Sequence, residues 1–561
     1  MSAIQLPQFD SAENQEHRRA WLARNRRKYQ FEADYLPPLT VIKDVPLEES
    51  FSPRYLAERV PATLGPLGSN TLAVKVVSFW DPLDELQDYE DFYPTLTNPT
   101  VMRGYQTDES FAEQRLSGAN PMVIQRVRDW PASLAHSLAE VQSAYGPALD
   151  LEQKFKDGHL YLADYSALSF VQGGTYLKGK KYLPAPVALF AWRGAGYGQR
   201  GEMMPVAIQL APKPGEKGPL LTPFSPRLQW LYAKTCVQIA DANHHEMATH
   251  LCHTHFVMEP FAISAARQLA PVHPVAILLR PHFRFMLFNN ELARKRLVNQ
   301  GGIVDNLLAG TLSESLEIVK QAYFTNAQTH WRLDGSALPQ TIWERGLDDT
   351  DHLPHYPYRD DGLLLWKAIE RYVGAYLAIY YTGAEDVQQD YELQAWAQEL
   401  ADAGPEGGHV KGLPSPIQTL AELQAILTTV IYTCGPQHSA VNYTQYPYLG
   451  FIPNAPLAAY QPPRTEFDPQ QDLTLGELLA FLPPSQQVMD QIQILYTLSC
   501  YRYDRLGYFD DPFPDPQAQR VLAQFRQELQ GIERKIELRN KNRVVPYPYL
   551  RPSLVLNSIS I

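Results

Sequence analysis

Histidines are concentrated in one stretch of this chain of 561 residues. Five of them lie within twelve residues, and two more, His273 and His282, follow soon after. Imidazole is the commonest metal ligand in proteins, so a cluster of this density suggests a metal site. The five are His244, His245, His250, His253 and His255.

The spacing inside the cluster argues against one familiar kind of metal site. His245, His250 and His255 are separated by five positions, whereas the zinc-peptidase signature places its two histidines four positions apart. Residues of a regular α-helix advance by about 100°, so positions five apart lie roughly 140° apart around the axis. A π-helical turn returns them to one face, and such turns favour functional sites. We therefore predict that the helix carrying His250 and His255 is locally widened.

A second pair of candidate ligands lies much further along the chain. His438 and Asn442 are four positions apart, which places them on one face of a regular helix. Asn442 offers an amide oxygen, a weak and neutral ligand. A zinc finger is disfavoured because Cys252 has no partner cysteine nearby. The residues alone leave two interpretations: a metal site shared by two helices, or histidines that form hydrogen bonds inside a core.

Composition limits the class of protein that can carry these residues. The chain is 45% hydrophobic, so it can bury a large core, and its net charge of −12 argues against a nucleic-acid partner. Four widely spread cysteines indicate reduced thiols rather than a disulfide framework. The N-terminus lacks the features of a signal peptide, and no apolar run is long enough to span a membrane. We therefore expect a cytoplasmic protein.

The first 72 residues contain two segments of different character. Residues 12–32 are rich in helix formers, arginines and aromatic residues. They predict a helix that either packs on the main body with its charges in solvent or makes a peripheral contact with a membrane surface. Residues 33–72 are punctuated by prolines and predict an irregular lead-in with a helical piece near 52–64.

Long helical periodicity dominates the chain after residue 226. Sheet signals are short and lie at 159–168 and 186–192. Because the later helices do not alternate with strands, a doubly wound α/β sheet is unexpected, and the prediction is a mostly α fold with small β pieces in the first 220 residues. Further helices are predicted at 287–299, 361–381, 390–402, 417–433, 474–501 and 516–539.

Several long motifs resemble the lipoxygenase family, and the resemblance runs through most of the chain. The family pattern H-x4-H-x4-H-x17-H-x8-H stands at His245, His250, His255, His273 and His282. Other segments typical of the family, in the family's order, are SFAEQRLSGANPMVI (110–124), WLYAK (230–234), YPYRDDGLLLW (356–366), QHSAVNYTQYPY (437–448) and the terminal NSISI (557–561).

The resemblance implies a fold and a division of the chain. It implies a large helical catalytic domain around two long central helices, with small β-sheet pieces. Residues 1–65 would form an N-terminal helical and proline-rich extension, and residues 66–561 the catalytic domain. The family's usual N-terminal β-barrel lipid-binding domain is expected to be missing, because the catalytic blocks begin with the 110–124 segment.

The resemblance also implies a non-haem iron site. His250 and His255 match the first two iron ligands, His438 the third and Asn442 the variable fourth. Ile561 matches the terminal residue whose carboxylate binds the iron. Mixed nitrogen and oxygen ligation suits non-haem iron, with one ion per chain and manganese as a variant.

Three further polar residues are assigned by the same match. His245 falls on a non-ligand position and is expected to have a structural role. Glu246 and Gln445 match a polar pair that links the iron ligands to the substrate channel, a contact that would hold the ligands in place.

The activity implied by the resemblance is dioxygenation of polyunsaturated fatty acids such as linoleate, α-linolenate and arachidonate. Hydrogen leaves a bis-allylic carbon at a ferric centre, O2 adds to the carbon radical, and the product is a fatty acid hydroperoxide. The expected partners are therefore the fatty acid and O2, and a monomer is expected. The alternative is a non-catalytic lipid- or membrane-surface binding protein on the same fold.

A few positions are expected to control specificity. Ala293 matches the family's Ala/Gly switch, at which alanine usually accompanies S products. Ala455 stands where plant members carry an arginine, so that residue supplies no tether for a carboxylate, and Arg296 is an alternative basic group. For each aliphatic candidate, core packing is an equally good interpretation. The residues matched to the substrate channel are Leu297, Val304, Leu307 and Leu308.

Overall fold

The computed structural model describes residues 4–77, 83–194, 201–210, 216–325, 331–510 and 513–561. Helices dominate these ranges, which confirms the predicted mostly α fold class. The α-helices described are α1 (Ala12–Lys28), α2 (Pro53–Val77), α3 (Asp108–Ser117), α4 (Leu138–Tyr145), α5 (Leu151–Lys156), α6 (Arg227–His244), α7 (Glu259–Gln268), α8 (Pro274–Phe283), α9 (Met286–Arg296), α10 (Ile303–Leu307), α11 (Leu312–Lys320), α12 (Leu338–Glu344), α13 (Pro357–Tyr380), α14 (Ala384–Gln389), α15 (Tyr391–Ala401), α16 (Leu420–Tyr432), α17 (His438–Asn442), α18 (Leu475–Phe481), α19 (Ser485–Ser499) and α20 (Pro516–Asn542).

The strands described are short and precede residue 222, as the sequence predicts. Five form one antiparallel sheet in the order β3-β4-β7-β8-β9, while β1-β2 and β5-β6 are separate pairs. They are β1 (Phe31–Leu36), β2 (Leu39–Ile42), β3 (Gln125–Arg126), β4 (Leu160–Asp164), β5 (Thr175–Tyr176), β6 (Gly179–Lys180), β7 (Val187–Arg193), β8 (Glu202–Gln209) and β9 (Leu220–Leu221).

The central strand of the larger sheet is buried on both faces. Along β7, alternate residues point to opposite sides, and every residue from Val187 to Trp192 is buried. Val187 and Leu189 pack in a small cluster with α4 and α5, whereas Phe190 joins the main core. The sheet therefore separates a small peripheral core from the helical body.

Two long buried helical columns cross the main core. The first runs from α6 through a π-helical segment (His245–His255) and a short 3-10 turn (Phe256–Met258) into α7. The second runs from α16 through a second π-helical segment (Thr433–Gln437) into α17. Almost every residue of the first column is buried, as is the second column from Ile426 to Asn442 apart from Gln437, which is the pattern of helices covered on all sides. The widened helix predicted at His250 and His255 is confirmed.

Three predictions about elements differ from what is observed; the first is the irregular lead-in from residue 33, where β1 and β2 instead pair through backbone hydrogen bonds. The single helix predicted over 474–501 is divided into α18 and α19, because Pro483 and Pro484 lie between them and proline interrupts helical hydrogen bonding. The helical piece predicted near 52–64 continues to Val77, through Pro61 and Pro66. One face of α2 is buried, and this tertiary packing outweighs the local preference of the prolines.

The helix predicted within residues 12–32 is α1, which packs on α7 and the 47–49 turn. Arg18 is buried between Asp10 (2.5 Å) and Glu392 (3.0 Å), and Arg26 donates to Gln268 at 2.6 Å. Trp21 is 37% exposed and lies 4.9 Å from the Arg24 guanidinium. The body-packed interpretation thus describes one face of α1, and contact of the other face with a membrane stays a prediction.

Within the described residues, no helix is both long and apolar enough to cross a membrane. The boundary placed between residues 65 and 66 falls inside α2, and the division into an extension (1–65) and a catalytic domain (66–561) stays a prediction.

Candidate metal centre

Three histidine side chains meet at one buried point between the two columns. His250 and His255 belong to the π-helical part of the first column, and His438 begins α17 in the second. One ring nitrogen of each lies within 4.8 Å of those of the other two, and the Nε2 atoms of His250 and His255 are 3.0 Å apart. Their exposed fractions are 6%, 5% and 0%. Convergence of this kind suits imidazoles that share one cation.

The two π-helical segments support each other at this point. Thr254 Oγ1 donates to the carbonyl of Thr249, five residues earlier, at 2.9 Å. Gln437, from the π-helical part of the second column, donates through Nε2 to the carbonyl of His253 at 3.0 Å. Side chains thus satisfy carbonyl groups of the widened turn, and the same contact fixes one column against the other.

All three rings are held neutral by their surroundings. Burial, followed by the neighbouring His250, lowers the pKa of His255 to about 3. Burial also lowers the pKa of His250, against the opposing influence of Glu246. Burial and the two other rings lower the pKa of His438 well below its usual range. Neutral imidazoles carry a free lone pair, which is the form that binds a metal ion.

The surroundings of His438 show whether these residues fit a cation. The side chain is fully buried, and within the described part of the chain neither of its ring nitrogens has a hydrogen-bond partner. A buried polar atom without a partner costs about 1–3 kcal/mol. A cation bound among the three imidazoles would satisfy one of these nitrogens. The backbone of Ile561 lies near the His438 ring and opposes the lowering of its pKa in part.

A chain of buried polar contacts orients His255. Its Nδ1 lies 2.9 Å from Asn290 Oδ1, and Asn290 Nδ2 donates to Glu259 at 2.9 Å. Glu259 in turn accepts from Arg294 at 2.9 Å and from the backbone N–H of Ile42 at 2.7 Å. Because the Asn290 amide group donates to Glu259, its oxygen accepts the His255 Nδ1 proton, which leaves Nε2 facing the other histidines.

The sequence interpretation missed this chain of contacts. Asn290 and Arg294 lie one turn apart on α9, where nothing in the local pattern marks them as buried. Glu259 offered a signal, because it is a carboxylate within an otherwise apolar helical stretch, and such a residue is fully buried only when it is paired.

His245 is placed outside the group of three. Its Nε2 lies 3.0 Å from the carbonyl oxygen of Val441 in the second column. The ring therefore ties the two columns together and points away from the convergence of His250, His255 and His438. This contact agrees with the structural role expected from the sequence.

The predicted polar pair is divided between two contacts. Glu246 lies 3.3 Å from His245 Nδ1 and 3.6 Å from His250 Nδ1. Gln445 instead donates through Nε2 to Asn442 Oδ1 at 2.9 Å. Each member thus orients a different candidate ligand, and one oxygen of each has no hydrogen-bond partner among the described residues.

Asn442 is buried beside these groups. Its Nδ2 donates to the carbonyl of Leu498 at 2.7 Å, which fixes the plane of the amide and leaves Oδ1 on the side of Gln445. The amide oxygen is a neutral, weak ligand, and its direction is set by the last turn of α19.

The chain terminus is threaded into the core and held by several loops. The side-chain oxygen of Asn557 accepts from the backbone N–H of Gly507 at 2.9 Å, and its Nδ2 donates to Asp504 at 2.9 Å. Nδ1 of His282 lies 2.8 Å from the carbonyl oxygen of Asn557. Ile561 itself is buried. These contacts explain why a conspicuous histidine such as His282 stands outside the metal-binding group.

The positions predicted for substrate specificity lie on α9, α10 and the turn between them. Ala293 is one turn after Asn290, and its carbonyl accepts from Leu297 N at 2.8 Å. Leu297 packs against the main core, and its carbonyl accepts from Val304 N at 3.0 Å. Leu307 and Leu308 are buried, Ala455 is buried and Arg296 is exposed. Their roles toward a substrate stay predictions.

Two buried helical columns that bring three imidazoles together give this helical protein a candidate metal centre, and comparisons with known proteins identify its family. The lipoxygenase family model matches residues 84–547. The human polyunsaturated fatty acid lipoxygenase ALOX15B is 35% identical over 485 residues, which span 86% of this chain and 70% of the human one. The mouse hydroperoxide isomerase ALOXE3 is 34% identical over 487 residues, which span 86% and 66%.

A solved structure agrees with the sequence comparisons. The anaerobic crystal structure of a LOX variant, delta413-417:GS, in complex with arachidonate matches with a TM-score of 0.88 at 30% identity. The match covers 100% of this chain and 84% of that one. The chain belongs to the lipoxygenase family.

Proposed function

We propose that this protein is a lipoxygenase that converts polyunsaturated fatty acids and O2 into fatty acid hydroperoxides. The observation that carries the proposal is the convergence of His250, His255 and His438, all buried and neutral, between the two columns. A purely structural cluster of histidines would give each ring at least one protein hydrogen-bond partner, as the Val441 carbonyl provides for Nε2 of His245. Among the described residues, neither ring nitrogen of His438 has one.

The ligand set we propose comprises three nitrogens and two oxygens. His250, His255 and His438 supply the imidazoles, Asn442 the amide oxygen and Ile561 the terminal carboxylate. A mixed nitrogen and oxygen set with a single negative charge suits non-haem iron, and manganese is the variant to be tested. When bound, iron supplies the one-electron oxidant that accepts the electron of the abstracted hydrogen.

The protein's part in the reaction is to position the ligands and the substrate and to exclude water. Asn290 holds the proton of His255 on Nδ1 and keeps Nε2 directed inward. Glu246 lies 3.6 Å from the Nδ1 atom of His250, where its charge favours a proton on that nitrogen. A pentadiene must be held within reach of the centre in one orientation, and fixed ligands together with an apolar wall provide that.

Apolar residues of α9, α10 and the intervening turn would line the channel that holds the acyl chain. We propose that Leu297 and Val304 flank the reactive pentadiene and that Leu307 and Leu308 limit the depth of the site. Ala293 lies one turn after Asn290, the residue that contacts His255, so a change in its size acts close to the centre. An acyl chain sheds water on entering such a site, which favours binding.

A metal-reconstitution assay tests the proposal. The purified protein is loaded with iron(II), its metal content is measured by elemental analysis, and linoleate, α-linolenate and arachidonate are added under air. We expect about one iron per chain and a conjugated-diene hydroperoxide that carries both oxygen atoms of O2. The same loading with manganese(II) separates the two metals. Iron-loaded protein that oxygenates none of these acids would contradict the proposal and favour a non-catalytic lipid-binding protein.

A second candidate activity follows from one relative. Mouse ALOXE3 carries the name hydroperoxide isomerase, so members of this family differ in what they release. Incubation of the iron-loaded protein with a preformed fatty acid hydroperoxide, without O2, distinguishes the two activities. Unchanged hydroperoxide supports the dioxygenase, whereas isomerised product supports the second candidate.

A further inference from the structure

The N-terminal part of the chain touches its C-terminal end at a single buried tyrosine. Tyr55 lies in the first turn of α2 and is fully buried. Its hydroxyl donates to the carbonyl of Ser560 at 2.5 Å, across 505 positions of sequence. Ser560 immediately precedes Ile561, whose carboxylate is a ligand in the proposed function. The contact therefore reaches the metal centre through one peptide unit.

The hydroxyl of Tyr55 has a fixed orientation. Arg59, one turn later on α2, donates through Nη1 to the hydroxyl oxygen at 2.8 Å. A hydroxyl that accepts from a guanidinium has its one proton free to donate, and here it donates to Ser560. A hydrogen bond from a charged donor also polarises the hydroxyl and strengthens the bond it gives.

The ring of Tyr55 is fixed as well. Phe51 stacks on it with ring centroids 4.3 Å apart, and Phe285 lies at 5.1 Å. Tyr501 and Tyr503 complete the surroundings at 5.6 and 5.4 Å. Aromatic pairs at these distances are mutually stabilising, so the hydroxyl is held by packing on every side.

The other tyrosine hydroxyls of this cluster point elsewhere. Tyr503 donates to Asp510 at 2.6 Å and Tyr501 to Glu58 at 2.7 Å, both carboxylates at the surface. Among the described residues, Tyr55 is the only side chain that hydrogen-bonds to Ser560. The cluster thus contains one hydroxyl directed at the chain terminus and two that are not.

The peptide bond explains why this contact matters to the ligand. A peptide unit is planar, so a fixed Ser560 carbonyl also fixes the position of the Ile561 Cα atom. Only the backbone rotations of Ile561 itself remain to direct its carboxylate. Without the contact, the preceding rotations of Ser560 become free and the carboxylate samples more directions.

The middle of α2 also packs near the residue that orients Asn442. Thr63 lies 3.3 Å from Cys500 in the segment after α19, and Leu498 accepts the Asn442 amide proton next to it. Helix α2 thus packs on the segment that orients Asn442, in addition to the terminus that carries Ile561.

We propose that Tyr55 is a positioning residue that holds the Ile561 carboxylate in place for the metal and thereby controls how tightly the metal is retained. The proposal rests on the assignment of Ile561 as a ligand in the proposed function. Residues that orient ligands through one further contact change metal affinity by about 10–100-fold when they are replaced.

The test compares Tyr55→Phe with Tyr503→Phe. Both remove one hydroxyl from the same aromatic cluster, and only the first removes the contact with Ser560. Iron(II) affinity is measured by competition with a chelator, and the ferric proteins are compared by electron paramagnetic resonance. We expect Tyr55→Phe to weaken iron binding about tenfold and to change the ferric spectrum, with Tyr503→Phe like the wild type in both. Arg59→Met should weaken binding in the same direction by less.

Thermal unfolding of the metal-free proteins separates positioning from general stability. We expect Tyr55→Phe and Tyr503→Phe to unfold at similar temperatures without iron, since each loses one hydrogen bond. If Tyr55→Phe binds iron like the wild type and has the same ferric spectrum, the inference is overturned and the proposed function stands. If the wild type binds no iron, the proposed function fails, and this inference fails with it.

Discussion

The two sides of the metal centre are built in different ways. On one side His250, His255 and His438 project from two long buried helical columns that support each other through Gln437. On the other side we propose Asn442, the last residue of α17, whose amide is oriented by Leu498 in the last turn of α19, and Ile561, which depends on the end of the chain. The histidines project from buried helices, whereas the two oxygen donors are oriented by contacts with segments distant in sequence.

The difference teaches how strong and weak ligands are held. Imidazoles on a buried column need little beyond the column: Nδ1 has a neighbouring polar group in His255 and His250, and in His438 it has no hydrogen-bond partner among the described residues. A terminal carboxylate has no helix behind it, so the chain before it is tied down at Asn557, at Ser558 and at Ser560. The weaker side therefore needs more partners, and these come from both ends of the sequence.

Replacing one of the three histidines should have the largest effect. We expect His255→Gln to lower iron affinity and turnover by more than about 100-fold, beyond the range seen for residues that only orient ligands. Elemental analysis after loading and O2 uptake with linoleate measure both. His253→Gln is the matched control, because its Nε2 contacts the carbonyl of Ala322 rather than the centre. Equal losses in the two variants would remove the distinction between ligand and core histidine.

Adding a residue after Ile561 should lower turnover almost as severely, because it displaces the terminal carboxylate. One glycine added after Ile561 moves the terminal carboxylate by about 3.8 Å, far more than metal–ligand distances tolerate. We expect turnover to fall by about 100-fold while the three imidazoles stay in place. Turnover, iron content and circular dichroism are measured together. Full turnover in the lengthened protein would show that the carboxylate is not a ligand.

Removing the residue that orients His255 should have an intermediate effect on iron affinity. Asn290→Ala removes the partner of His255 Nδ1 and leaves Glu259 with one donor fewer. We expect iron affinity to fall by about 10–100-fold, as measured by chelator competition. Asn289→Ala, on the same helix, is the control, because the Asn289 side chain makes no hydrogen bond within the described residues. A fall of the same size in the control would point to α9 as a whole.

The smallest effect is expected at Ala293, outside both sets of ligands. Ala293→Gly should cost about 1 kcal/mol of stability, because glycine is less favourable than alanine within a helix. We expect the ratio of S to R products to shift toward R with metal content unchanged. Chiral chromatography of the products and elemental analysis measure these two quantities. An unchanged ratio would leave Ala293 as a core-packing residue.

Much of the histidine side could be predicted from the sequence. The five-residue spacing of His250 and His255 cannot place two ligands together on a regular α-helix, so it predicts the π-helical segment that the structure contains. The four-residue spacing of His438 and Asn442 predicts the ordinary helix that carries them. These relations are local, and local geometry follows directly from spacing along the chain.

Contacts between distant segments could not be predicted in this way. Asn290, Glu259 and Arg294 look like ordinary polar residues until α7 and α9 pack together and bury them. The helix α2 extends through two prolines because its buried face packs on α19, a stabilisation that local preferences do not contain. The division of 474–501 is the opposite case, since two adjacent prolines in the sequence already indicated it.

The sequence by itself determined which residue types stand at which spacing, and hence the widened helix and the three candidate imidazoles. The tertiary structure decided that His245 contacts Val441 rather than the group of three, and that Ile561 is buried close to the His438 ring. It also brought Tyr55 to Ser560 across 505 positions. The physical reason is that spacing governs the direction of side chains within one helix, whereas the meeting of distant segments depends on how all the helices pack around a shared core.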